Sequence, residues 1–257
     1  MASSRTLPPP TRGSRTWAIG RRVLLQIWRD RRFLVTVIVA PLLIVFFVKV
    51  LFDAADVSPL VRTKFAVPFG AFIVHFATFI LTAIVLVRER VLETLERMFI
   101  NGYRQLEIVG GYLIGYTALA TAISFNVLLL LQLLFSLDYS LRQLAEVYVV
   151  IWLLAVISMA LGILVSNVAR TEGQVIPFIP LVIVPSFLFA GLVVATDLLP
   201  AWAQVISHLS PMFYANNILQ EIIAGGSLTA DVVSLVALPV YGLVALGLAA
   251  LTLRERA

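Results

Sequence analysis

Along this chain the polar positions come in short bursts and the apolar positions in long unbroken runs. Six runs stand out: Phe33–Phe52, Phe65–Val87, Ile108–Leu137, Val147–Val168, Val175–Thr196 and Val232–Leu253. Each reaches the roughly 20 residues an α-helix needs to cross about 30 Å of hydrocarbon. Lys49 is the one formally charged residue inside them, and it sits near the end of the first run, from where its stem can snorkel to the interface. Backbone groups in lipid must pair within a helix or a closed barrel. Barrel strands alternate apolar and polar residues, and these runs do not. The pattern predicts an all-α integral membrane protein, a bundle of six transmembrane helices.

The polar bursts add detail. Residues 1–14, with Pro8, Pro9 and Pro10, read as a flexible tail ahead of one transmembrane domain over 15–257. From Arg15 to Arg32, Trp17, Leu24 and Trp28 share a helical face, with Arg21, Arg22, Arg29 and Arg32 around it. That predicts an amphipathic helix in the headgroup plane, Trp at the interface and Arg on anionic lipid; the alternative is a bare block of positive charge that only fixes topology. Between the fifth and sixth runs, Leu198, Trp202, Val205, Ile206 and Leu209 repeat at helical spacing. Pro211 is expected to end that helix, and a second short one is expected over Tyr214–Ala224, closed by Gly225 and Gly226. Pro177, Pro180 and Pro185 crowd the fifth run and should kink or break it, which marks a hinge. With Pro211 and Tyr214 they are the candidates for an outer gate.

Composition narrows the class. Hydrophobic residues make up 61% of the chain and charged ones 13%, with a mean hydropathy of +1.01. A soluble enzyme would have too little charge to cover its surface. The pI near 9.9 suggests a nucleic-acid partner only until the charges are located. Outside the runs, fifteen basic residues fall on one side of the alternating topology and three (Arg62, Lys64 and Arg142) on the other. That places both termini in the cytoplasm. No cleavable signal is expected. There is no Cys, and the two His, His75 and His208, stand far apart in sequence. No metal site, catalytic constellation or cofactor site is expected. Neither Lys49 nor Lys64 sits in a P-loop context, so no ATPase site of that kind is expected in this chain. Of the polar residues inside runs, His75 and Asn126 are pathway candidates, as is the aromatic Phe79; helix–helix packing is the plainer role for each. Gly111 and Gly115 form a G-x-x-x-G face suited to close packing.

The longest cytoplasmic connection is also the most charged, RERVLETLERMFINGYRQLEI, residues 88–108. Leu92, Leu95 and Phe99 fall on one stripe, and Glu89–Glu93 and Glu93–Arg97 are spaced i,i+4. A short helix with a charged and an apolar face, held between two spans, suits docking to another protein. Here the sequence resembles the permease subunits of type-2 ATP-binding-cassette exporters, whose usual pattern runs approximately R-E-x-x-x-G-T-L-E-x-L, a Pro, then L-E-I-x-x-G-K. Arg88, Glu89, Thr94, Leu95, Glu96, Leu106, Glu107, Ile108 and Gly111 match; Glu93, Met98, Gly102 and Tyr112 depart from it. Ser210, Pro211 and Tyr214 match the family's segment before the last span, where Gln220 replaces an Arg.

The resemblance implies a bacterial cytoplasmic-membrane exporter permease for an amphipathic, drug-like or lipid-linked substrate. It implies two ATPase subunits that bind ATP and Mg, and a second permease, identical or closely related. It implies that Arg88, Glu89, Glu93, Thr94, Leu95, Glu96, Arg97 and Phe99 form the coupling helix. Competing readings are an ion-coupled secondary transporter, which usually buries ionisable groups mid-membrane, and an integral-membrane lipid-modifying enzyme, which needs a His/Asp/Glu cluster at one face.

Overall fold

The computed structural model describes residues 12–92 and 94–252, and every element in it is helical. The order is α1 (Arg12–Arg29), α2 (Arg31–Ala54), α3 (Pro59–Val91), α4 (Thr94–Ile100), α5 (Gln105–Phe135), α6 (Leu141–Val168), α7 (Phe178–Leu188), α8 (Ala201–Ser207), α9 (Pro211–Ile223) and α10 (Val232–Thr252). Among the described residues, α3, α5, α6 and α10 are long and apolar enough to cross a membrane. Residues 12–14, expected in the tail, form the first turn of α1; the rest of that tail lies outside the described residues.

The helix starts are set by local chemistry. Pro59 opens α3 and Pro211 opens α9, positions where the missing N–H costs nothing. Pro211 therefore begins a helix rather than ending the one before it. Ser210 caps α9 by accepting from Met212 N at 3.2 Å, and Ser140 caps α6 in a capping box with Gln143. At the turn between α2 and α3, Asp53 accepts from Lys49 and from Arg62. The hydrogen bond from Lys49 and its charge, then the Arg62 charge, hold the exposed Asp53 carboxyl below its ordinary range.

The fifth run is not one helix. Its helical part, α7, has 11 residues, about 16 Å at 1.5 Å per residue and roughly half the hydrocarbon thickness. Pro177 precedes it and Pro185 sits in its last turn. The chain then turns at Gly191, where φ is +79° and a Cβ would lie 2.9 Å from Asn216 Nδ2. Asn216 Nδ2 donates to Ala190 O at 2.9 Å, so α9 pins the turn that stops α7.

The centre of the bundle is the packing of α3 on α6, with α5 and α10 flanking it and α9 closing one end. α1 lies against the first half of α5. There the G-x-x-x-G face finds its partner: Cβ atoms on Gly111 and Gly115 would fall 2.5 Å from Ile19 and 2.6 Å from Val23. Ile19 and Val23 are buried, whereas Trp17 and Trp28 are exposed on the other side of α1.

Candidate functional site

The junction where α1, α3, α4 and α5 meet holds most of the sequence-selected charge. Glu89 is 5% exposed near the end of α3. Its Oε2 accepts from Arg22 Nη2 and from the Tyr112 hydroxyl, both at 3.0 Å, and its Oε1 accepts from Gln26 Nε2 at 3.0 Å. Arg22 Nη2 also donates to the Tyr112 oxygen at 2.9 Å. One carboxylate thus ties three helices. Burial disfavours the Arg22 charge, but Tyr112 and Glu89 outweigh it and hold the guanidinium above its ordinary value. Arg22, expected on the lipid-facing rim of α1, points into the bundle instead, while Arg21 and Arg29 are exposed. Pattern alone missed Gln26.

One residue on, Arg90 donates to Ser166 O at 2.7 Å and to Asn167 Oδ1 at 2.8 Å. Asn167 Nδ2 passes the link to Ala249 O at 2.7 Å and Thr252 Oγ1 at 2.9 Å. The same end of α3 is thereby fastened to α6 and α10. Arg88 is exposed and approaches Glu172 at 3.9 Å.

The residues expected in a coupling helix, Arg88 to Phe99, do not fall on one continuous helix. α3 continues to Val91, the helix breaks at Leu92, and α4 spans seven residues; Glu93 lies outside the described residues. The break re-phases the stripe. Leu95 (3% exposed) and Met98 point into the bundle core, and Thr94, Glu96 and Phe99 are half-buried. Outward-facing groups are Arg97, Ile100 and Leu106; Ile100 is 85% and Leu106 73% exposed. Gly102 closes α4 with φ +76°, its N–H on Phe99 O at 2.8 Å and Tyr103 N–H on Met98 O at 3.1 Å. That is a Schellman closure, and its positive φ is closed to proline, which accounts for Gly where the type-2 pattern carries Pro. Arg15 Nη1 donates to Gly102 O at 2.9 Å, so α1 also holds the loop after α4.

The pathway candidates fall in three environments. Phe79 is fully buried between α3, α6 and α7. Asn126 Nδ2 donates to Ala122 O of its own helix at 2.7 Å. His75 is fully buried and joins four elements: Nδ1 lies 2.6 Å from Ser158 Oγ, Nε2 lies 3.2 Å from Ser186 Oγ, and Ser186 Oγ lies 2.8 Å from Ser210 Oγ. Counting protons orients the chain. Ser158 donates to Leu154 O at 2.5 Å, so His75 Nδ1–H donates to Ser158; the single Ser186 proton is shared between Val182 O, at 2.8 Å, and His75 Nε2. Ser210 then donates to Ser186 and itself accepts from Met212 N. The contacts run unbroken from the start of α9 to α6. Replacing His75 with Leu takes one hydrogen bond each from Ser158 and Ser186, which keep their other partners, and SDS-induced unfolding should show a loss of about 1–3 kcal/mol; Asn at 75, which keeps a donor and an acceptor, should recover part of it.

Of the outer-gate candidates, Pro177, Pro180 and Pro185 lie at or within α7 and Pro211 opens α9. The Tyr214 hydroxyl donates to His208 O at 3.1 Å. Among the described residues, no group of three or more His, Asp or Glu could hold a metal ion.

The chain is similar to ABC transporter G family member 20 of Dictyostelium discoideum, with 28% identity over 147 residues. That match covers 57% of this chain and 20% of the relative, so the chain spans about one fifth of that protein's length. The model of the ABC-2 type transporter family matches residues 14–224. With a helical bundle whose spans can cross a bilayer, the chain belongs to the ABC-2 type transporter family and is a multi-pass membrane component of a transport system.

Proposed function

We propose that the chain is the permease subunit of an ATP-driven exporter in a bacterial cytoplasmic membrane. It works as one transmembrane domain with both termini in the cytoplasm. ATP and Mg are handled by two copies of a separate ATPase subunit, and a second permease, of the same or closely related sequence, completes the complex. The observation that carries this reading is the α4 junction. A short helix is seated on the bundle by Leu95 and Met98, its neighbours are clamped by Arg22–Glu89 and Arg15–Gly102, and Ile100 and Leu106 are left uncovered. A push on that face has a rigid path into α3 and α5.

The six crossings would comprise α2, the four long spans, and α7 with the turn after it. At 24 residues, α2 is about 36 Å long. An amphipathic, drug-like or lipid-linked cargo agrees with the apolar cleft of about 160 Å³ between α2 and α3, lined by Pro41, Ile44, Phe76 and Ile80.

Replacing both Ile100 and Leu106 with Asp should lower co-purification of the ATPase subunit about tenfold or more, as loss of an interface hot spot does. It should leave the unfolding transition of the permease unchanged. Leu95→Ala should do the reverse, costing about 2–4 kcal/mol of bundle stability. Undiminished co-purification with both Asp residues in place would remove α4 from the docking surface.

A further inference from the structure

A proline inside a helix frees a backbone carbonyl, because it has no N–H to offer the residue four before it. Pro68 does this in α3, and there a side chain takes the place of the missing donor: Gln220 Nε2, from α9, donates to Lys64 O at 3.5 Å. Pro41 does the same in the body of α2, where the carbonyl denied its helical partner is that of Val37. Beside Pro41, the packing of α2 against α3 leaves the cleft of about 160 Å³. Ala40, Pro41 and Ile44 form one wall, and Phe76, Ala77 and Ile80 most of the other. Every lining side chain is apolar, so none of them can donate to a carbonyl. Val37 precedes Ala40 and Pro41 by three and four residues, which puts it on the stripe of α2 that faces the cleft. A helical carbonyl points along the axis toward residue i+4, so Val37 O lies under the Pro41 ring on that side. Val37 falls inside the apolar run Phe33–Phe52, at a depth where water does not supply the missing bond.

We propose that this cleft binds the ring of a lipid-soluble monophenol, whose hydroxyl donates to Val37 O. Three features select that occupant. An apolar cavity of roughly 150 Å³ holds benzene, so the cleft takes one ring with a small substituent and not a whole amphipath. Half-buried Phe76, stacked on Phe72 with ring centroids 6.5 Å apart, gives the ring an aromatic neighbour. The third is the carbonyl: one acceptor among apolar walls calls for one donor. A bare arene leaves it unpaired, whereas a polyol or an ammonium brings more donors than the cleft can satisfy. The ring enters from the bilayer, because Ala40 is exposed and Ile44 is 38% exposed at the mouth. The inference rests on the proposed function only in that α2 lies in the membrane. Binding is read without an ATPase subunit, so failure here leaves the test on Ile100 and Leu106 untouched, and the converse holds.

The full chain in phosphatidylcholine nanodiscs tests this by fluorine NMR titration with para-fluorophenol and para-fluorotoluene, each referenced to its own partition into empty nanodiscs. The phenol should be held about fivefold more tightly than the toluene, as one net hydrogen bond allows. Pro41→Ala returns an N–H to Val37 O, and alanine suits a helix interior. It should bring the preference to within about twofold and leave the toluene bound at least as well as before. Ala77→Phe fills the cleft and should reduce both probes to the level of empty nanodiscs, with an unchanged SDS midpoint showing that the bundle is intact. If that midpoint moves, the Pro41→Ala comparison decides alone. Binding of the phenol no better than of the toluene by the unaltered chain overturns the site. So does a preference that survives Pro41→Ala, or one that persists in a folded Ala77→Phe chain.

Discussion

Glu89→Ala should cost the bundle about 2–3 kcal/mol, a value between exposed and fully buried ion pairs. The discount from the buried limit is needed because the Arg22 side chain is 38% exposed, although Glu89 is nearly inaccessible. The loss has several parts. Arg22 and the Tyr112 hydroxyl lose their acceptor, Gln26 loses its bond to α3, and the partly buried guanidinium keeps its desolvation cost. Glu89→Gln retains an acceptor but no charge and should fall between the two. Combining Glu89→Leu with Arg22→Met removes both charges together, and should recover much of the loss, because an apolar pair of similar volume often replaces a buried ion pair at little cost. SDS titration followed by circular dichroism reads these proteins together with the single Glu89→Leu and Arg22→Met variants. If the double variant is as unstable as the sum of the singles, the two residues do not act as a pair. In the assembled transporter, Glu89→Ala should also loosen α1 from α3, so that protease cuts near Asp30 appear sooner.

How far the sequence reaches is clearest at particular residues. The ends of α5, α6 and α10 lie close to the apolar runs because hydropathy and length report the same thing there. The fifth run is helical over only part of its length because hydropathy scores composition and not continuity. What stops α7 is a turn held by Asn216, a residue 26 positions away from the Ala190 carbonyl it binds. Trp17 and Trp28 share the exposed face of α1. Arg22 does not, because the arginine that turns inward is chosen by where Gly111 and Gly115 let α1 approach α5, and no periodicity on α1 carries that. The stripe through Leu92, Leu95 and Phe99 assumes one helix. The break at Leu92 rotates α4, which sends Leu95 inward and leaves Ile100 outside.

Gly162→Leu should be among the most damaging single changes in the chain, for a reason the neighbouring backbone supplies. A Cβ at 162 would lie 2.7 Å from Phe79 O and 3.0 Å from both Ala83 N and Thr82 Cβ. Two of those three atoms are main chain of α3, so no rotamer change relieves the contact and α6 must move off α3 as a body. Gly111 is tighter in distance, but its nearest neighbours are Ile19 side-chain atoms, on a helix that lies at the edge of the bundle. Gly162 is one turn from Ser158, so the same displacement stretches the 2.6 Å contact to His75 and unsettles the hydrogen-bonded chain to α7 and α9. Gly162→Ala should cost about 1–3 kcal/mol and the Leu variant 3 kcal/mol or more, seen as lost monodispersity after detergent extraction and an earlier SDS midpoint. Gly247 in α10 is the control: it too is helical, but a Cβ there meets nothing within 4 Å. Gly247→Ala should therefore change stability by no more than about 1 kcal/mol, on the stabilising side. Equal behaviour of the two alanine variants would mean that α3 and α6 do not touch backbone to backbone, and the centre of this fold would have to be redrawn.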